Sequence, residues 1–176
     1  MKVLIIPGSV RPNSVGNGLI SQVEAELRRH PGAEVAVATP EDVSLPLFDA
    51  NASPAAGAEI IHESVKRWSK KVAAADAYVL MAPEYNDSVS AVQKNYIDWL
   101  YQEWNGKKAA IVNYNHYDKK SSAEALMNIL QSVKVEVVEP VAYLRFGQDI
   151  NEAGEVLDQT ALQQKLNATV TALLDQ

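Results

Sequence analysis

Val3-Leu4-Ile5-Ile6, running into Pro7-Gly8-Ser9-Val10-Arg11-Pro12-Asn13-Ser14, is the stretch on which the fold turns. Four apolar residues in unbroken succession fit a strand covered on both faces, since a half-exposed strand alternates apolar with polar. Outward from it, the chain alternates short β-branched runs with longer segments whose apolar residues recur every three to four positions. Leu19, Val23 and Leu27 form one helical stripe, ended by His30-Pro31-Gly32. Val35-Ala36-Val37 reads as a second strand, and the proline-punctuated connection from Thr39 to Pro54 lacks the periodicity of an element. Ile61, Val65, Trp68 and Val72 mark the next helix, with Lys66, Arg67, Lys70 and Lys71 as its solvated face. Ala77 to Met81 is the third strand, with Val89, Val92, Tyr96 and Leu100 on the helix after it. Ala109 to Val112 is the fourth strand, followed by the helix of Leu126, Ile129, Leu130 and Val133. Val135 to Val138 begins a fifth strand, resumed at Ala142-Tyr143-Leu144 after Pro140, and Leu162, Leu166, Val170 and Leu173 close the chain as a helix. Repeated βα units with right-handed crossovers predict a doubly wound, three-layer α/β domain whose five parallel strands stand in the order 2-1-3-4-5.

Composition narrows the classes. With 176 residues, 47% of them apolar, the chain suits one domain over residues 1–176. No apolar run approaches the roughly 20 residues that cross a bilayer, so a cytoplasmic protein with no membrane partner is expected. The absence of cysteine removes disulfides, thiolate metal sites and thiol nucleophiles. A net charge of −6 without a Lys/Arg cluster argues against nucleic acid as a partner. No metal site is expected.

Ligands of a 2-1-3-4-5 sheet bind outside the carboxyl ends of the strands, at the switch point between strands one and three. The functional residues therefore belong just after Ile6, Met81 and Val112. The first of these loops combines a glycine, small hydrogen-bonding side chains and Arg11 immediately before a helix. Backbone N–H groups at a helix N-terminus, hydroxyl donors and a guanidinium fork are the chemistry of a phosphate site. An ordinary capping turn with Ser14 or Asn13 as cap is the simpler alternative. The loop lacks both the lysine of a P-loop and a G-x-G-x-x-G pattern, so a mononucleotide is the better ligand. The second loop, Pro83-Glu84-Tyr85-Asn86-Asp87-Ser88, is built of turn residues and places an aromatic ring and amide groups where a flat heteroaromatic ring would stack.

Gly8-Ser9-x-Arg11-x-x-Ser14, Pro83-Glu84-Tyr85-Asn86-x-Ser88 and Lys94-Asn95-x-x-Asp98-Trp99, with Asp42 to Phe48 between them, resemble the NADPH-dependent FMN reductase family over roughly the first 105 residues. The resemblance implies a flavodoxin-like fold, bound FMN, NADPH or NADH as co-substrate and a small-molecule electron acceptor such as a quinone, azo compound, metal oxyanion or free flavin. It implies that Ser9, Arg11 and Ser14, with Asn17 near them, hold the FMN phosphate. Pro83, Glu84, Tyr85 and Asn86 would contact the ribityl chain and ring, largely through backbone groups. The flavin carries the chemistry, so no catalytic side chain is assigned. Lys94, Asn95, Asp98 and Trp99 fall to helix packing or a subunit interface. A homodimer or homotetramer is implied, with Tyr96, Trp99, Tyr101 and Trp104 partly given to the interface, because four large rings on one short helix cannot all face inward.

Two positions depart from the family. Its members usually carry a glycine-rich turn after strand four, whereas Asn113-Tyr114-Asn115-His116-Tyr117-Asp118 has none. Asn tolerates left-handed backbone, so Asn113 and Asn115 are expected to stand in for glycine, while His116 and the tyrosines reshape the substrate face or form a plain surface loop. Ser90 stands where proline is frequent at a helix start, a mild exchange. The rival readings are a flavodoxin-type electron carrier, which usually binds phosphate without arginine, and a family member that has lost FMN.

Overall fold

The computed structural model describes residues 1–175. β1 (Lys2–Ile6) pairs in parallel with β2 (Glu34–Val37) on one side and β3 (Ala77–Pro83) on the other; β3 pairs with β4 (Lys108–Asn115). Beyond β4 lies the fifth position of the sheet. It is split into β5 (Glu136–Val137) and β6 (Ala142–Arg145), both parallel to β4, with Pro140 in the gap between them. Proline has no N–H for the ladder, so the strand pauses there and resumes. The order 2-1-3-4-5 is thus observed, with the last strand in two pieces.

The sheet carries two cores. Even-numbered residues of β1 and β3 (Leu4, Ile6, Tyr78, Leu80, Ala82) face α3 (Glu63–Ala73), α4 (Ala91–Asp98) and α5 (Ser121–Ser132). Their odd-numbered neighbours (Val3, Ile5, Ala77, Val79, Met81) face α1 (Val15–Leu27) and α6 (Gln159–Leu174). This is why Val3 to Ile6 are all apolar: each side chain meets a helix layer.

The elements correct several expectations. The connection after β2 does contain structure, a short helix α2 (Pro40–Val43) with a Thr39–Asp42 capping box, and a 3-10 turn at Pro54–Ala56. Ile61 precedes its helix rather than lying on it and is exposed. The interface role of the aromatic residues fails on helix length. α4 ends at Asp98, and the turns that follow fold Trp99 and Trp104 inward beside Tyr96, so all three rings are buried within the chain. Trp68, Tyr78, Tyr96 and Trp104 pack edge to face, and Tyr101 alone is half-buried.

The Lys94-Asn95-x-x-Asp98-Trp99 motif has a structural purpose. Lys94 pairs with Asp98 one turn on. Asn95 Oδ1 accepts from the Phe48 N–H at 2.9 Å, its Nδ2 donates to the Pro46 carbonyl at 2.9 Å, and Trp99 Nε1 donates to the same carbonyl at 2.8 Å. Together they clamp the Leu45–Phe48 strap across α4. Replacing Asn95 with alanine leaves these backbone groups unpaired, so Asn95→Ala should lower stability by about 2 kcal/mol. Urea denaturation measures the loss, and limited proteolysis should cut first near Leu47 in the variant.

Candidate functional site

The carboxyl ends of β1, β3 and β4 converge on a cavity of about 620 Å³, within the usual range for small-molecule sites. Its first wall is the loop after β1. Gly8 passes so close to β3 that a Cβ there would lie 2.1 Å from the Met81 carbonyl oxygen and 2.4 Å from Pro83, so only glycine fits. Ser90, the cap of α4, accepts from the Gln93 N–H and donates to the Gly8 carbonyl at 2.6 Å, fixing the loop from the other side. Serine in place of proline therefore serves both as a cap and as a tie. Ser14 caps α1, its side chain accepting from the Gly16 N–H. Ser9, Arg11 and Ser14 all line the cavity, and among the described residues the Arg11 guanidinium has no acidic partner.

The second wall is the segment after β3. Tyr85 and Ser88 exchange two backbone hydrogen bonds of 3.0 Å around Asn86 and Asp87, whose φ values of 51° and 63° are both left-handed. That is the two-residue hairpin turn for which Asn and Asp are suited. The Tyr85 hydroxyl lies 3.0 Å from Ser9 Oγ, tying this turn to the first loop. Lys119 forms an ion pair with Asp87 across the rim, which raises the ammonium's pKa. Both carboxylate oxygens of Glu84 are shielded from solvent without a protein partner.

The third wall contains a correction. Strand β4 does not end at Val112 but runs to Asn115, so Asn113 and Asn115 are strand residues, and neither has a left-handed backbone. Asn113 is fully buried and does not reach the cavity; its amide donates to the Ala82 carbonyl and to Ser122 Oγ at 2.7 Å. Asn115 shapes the turn with its side chain instead. Its Oδ1 accepts from the N–H groups of Tyr117 and Lys119, and its Nδ2 donates to Asn113 Oδ1 and to the Lys119 carbonyl. The left-handed residue of the turn is Asp118, with φ 54°. Tyr114, Asn115 and His116 do line the cavity.

Asn17 also falls outside the cavity, because in the first turn of α1 it stands on the exposed side. Conversely, Phe146 and Glu152, from the segment after β6, line the cavity and were not indicated by the sequence. Phe146 stacks on His116 with ring centroids 4.4 Å apart. Its signal was absent because Phe146 lies far from the other loops in sequence and next to an element that reads as an edge strand.

Comparison with known proteins agrees with this architecture. The family model for NADPH-dependent FMN reductase matches residues 1–149. An NAD(P)H-dependent FMN reductase of a Nectria species is 32% identical over 148 residues, covering 81% of this chain and 74% of that protein. A quinone reductase of Escherichia coli is 31% identical over 100 residues, 57% of this chain and 50% of its own length. Among solved structures, the flavoenzyme NAD(P)H:(acceptor) oxidoreductase FerB of Paracoccus denitrificans superposes with a TM-score of 0.75 at 23% identity, covering 98% of this chain and 96% of FerB, a likeness of fold. With a phosphate-type loop, a hairpin and an aromatic wall around one cavity, and a family match over most of its length, the chain belongs to the NADPH-dependent FMN reductase family and is an oxidoreductase.

Proposed function

We propose that the cavity holds FMN with its phosphate at Ser9, Arg11, Ser14 and the N-terminus of α1, and its ring between the Glu84–Asp87 turn and the Tyr114–His116 wall. The observation that carries this reading is the set of polar groups converging on one end of the cavity: a guanidinium with no acidic partner among the described residues, two hydroxyl side chains and the positive end of a helix. When bound, FMN supplies the redox chemistry, taking a hydride from NADPH or NADH and releasing electrons to a small acceptor such as a quinone. The protein's part is placement. Arg11 neutralises the phosphate, the Ser9–Tyr85 contact holds the two loops in register, and the turn at Asn86 and Asp87 presents backbone amides to the ring. His116, Phe146 and the exposed Tyr117 line the open side where nicotinamide and acceptor enter in turn. A cationic phosphate loop favours the reductase over a flavodoxin-type carrier.

Titration of the purified chain with FMN, followed by flavin fluorescence, should show binding, and addition of NADPH or NADH with a benzoquinone should give steady nicotinamide oxidation. Lack of flavin binding overturns the reading. Arg11→Ala should weaken FMN about 10- to 100-fold, the cost of a charge-assisted hydrogen bond, while leaving riboflavin unchanged. Equal losses for both would show that Arg11 supports the loop instead.

We also propose that the chain self-associates in the cytoplasm. With Trp99 buried, the apolar surface on that side is Leu47, 80% exposed, Ile61, 63% exposed, and Phe48, which packs on Trp99 with His62. Sedimentation should give a dimer or tetramer that falls to a monomer in the double variant Leu47→Glu, Ile61→Glu. A monomeric starting protein would refute it.

A further inference from the structure

Tyr114 is 4% exposed, and its hydroxyl is shielded from solvent with no hydrogen-bond partner in the protein. A buried phenol left unpaired is a cost that folding alone does not explain. The location of the hydroxyl supplies a reason. A Cβ on Gly16 would lie 2.5 Å from Tyr114 Oη and 3.5 Å from Ser14 Oγ, so the hydroxyl sits under the first turn of α1, beside its cap, in space that a glycine keeps open. Strand register sets this reach. Tyr114 stands opposite Pro83 in the ladder and points to the α1 side of the sheet, where Phe146 packs edge-on against its ring.

The charges around it agree with that placement. Burial raises the pKa of the phenol, the Ser14 side chain and the Arg11 charge act in the opposite direction, and Tyr85 adds to the rise. Arg11, Ser14, Tyr85 and Tyr114 all line the one cavity. The net result is a hydroxyl that keeps its proton at neutral pH and is free to donate it in a hydrogen bond. Among the described residues, the other shielded group on the cavity wall without a protein partner is the side chain of Glu84, on the β3 loop.

We propose that the Tyr114 hydroxyl donates a hydrogen bond to the phosphate of the bound flavin, so that a residue of β4 completes a subsite otherwise built from the loop after β1. The proposal rests on the FMN reading above. It also assigns Gly16 a purpose, which is to admit the hydroxyl beneath the helix.

The test compares FMN with riboflavin, which lacks the phosphate, on the unmodified chain and on Tyr114→Phe, with the urea midpoint of each apoprotein measured alongside. The variant should bind FMN about 10- to 100-fold more weakly, bind riboflavin within about twofold of the unmodified chain, and keep or raise the midpoint, because a buried unpaired hydroxyl has been removed. A merely structural tyrosine would lower the midpoint and weaken both ligands equally, and that result overturns the proposal. A variant that keeps the full preference for FMN over riboflavin overturns the proposal alone. Failure of the unmodified chain to bind FMN overturns the functional reading and this proposal with it.

Discussion

The approach of the Gly8 backbone to the carboxyl end of β3 is the constraint on which the site depends. The Met81 carbonyl and the Pro83 ring occupy the place where any side chain at position 8 would stand, and Ser90 holds the Gly8 carbonyl from the neighbouring helix. With that contact made, the loop after β1 must turn immediately into α1, and the cap at Ser14 fixes where the helix N-terminus opens. Strand β1, buried on both faces, gives the contact a rigid base, so the phosphate-type loop and the β3 turn have little freedom relative to each other. The Ser9–Tyr85 contact adds a second tie farther out.

From this base the two cores serve different ends. The α3–α4–α5 side is dominated by aromatic rings and by the clamp that Asn95 and Trp99 place on the strap after α2. It supports the sheet and the second loop from behind. The α1–α6 side continues upward into the cavity through Tyr114 and Phe146, so that one continuous apolar layer becomes, at the strand ends, the wall of the site. The change from core to site takes place within β4, between Val112 and Tyr114.

Much of this was legible in the sequence because local signals agreed with the tertiary result. The apolar run Val3–Ile6, the glycine and hydroxyls after it, and the turn residues at 83–88 each specify a strand or a turn without reference to distant contacts. Where legibility failed, distant partners decided. Asn113-Tyr114-Asn115 has the composition of a turn, yet Ser122, Ala82 and Lys119 satisfy both amides and allow the strand to continue through them. Four large rings near position 100 read as too many for one helix, which was correct, but the chain solved the problem by ending the helix rather than exposing the rings. The resemblance brings Asn17 near the phosphate, but helical phase turns it to the exposed side, away from the cavity. Phe146 became a wall residue only through a parallel pairing across the sheet, which no local pattern encodes.

The four hydrogen bonds of the Asn115 amide have a consequence for how such a protein diversifies. A glycine turn would leave the conformation of the wall to the backbone itself, and each new side chain there would contend with φ and ψ. Here the turn is pinned from inside by one amide, which within the turn bonds only the backbone of Tyr117 and Lys119, while the exposed side chains of His116 and Tyr117 take no part in that anchorage. The wall is therefore an exchangeable surface on a fixed mount. Side chains at positions 116 and 117 are open to replacement, one acceptor shape for another, without disturbing the strand beneath.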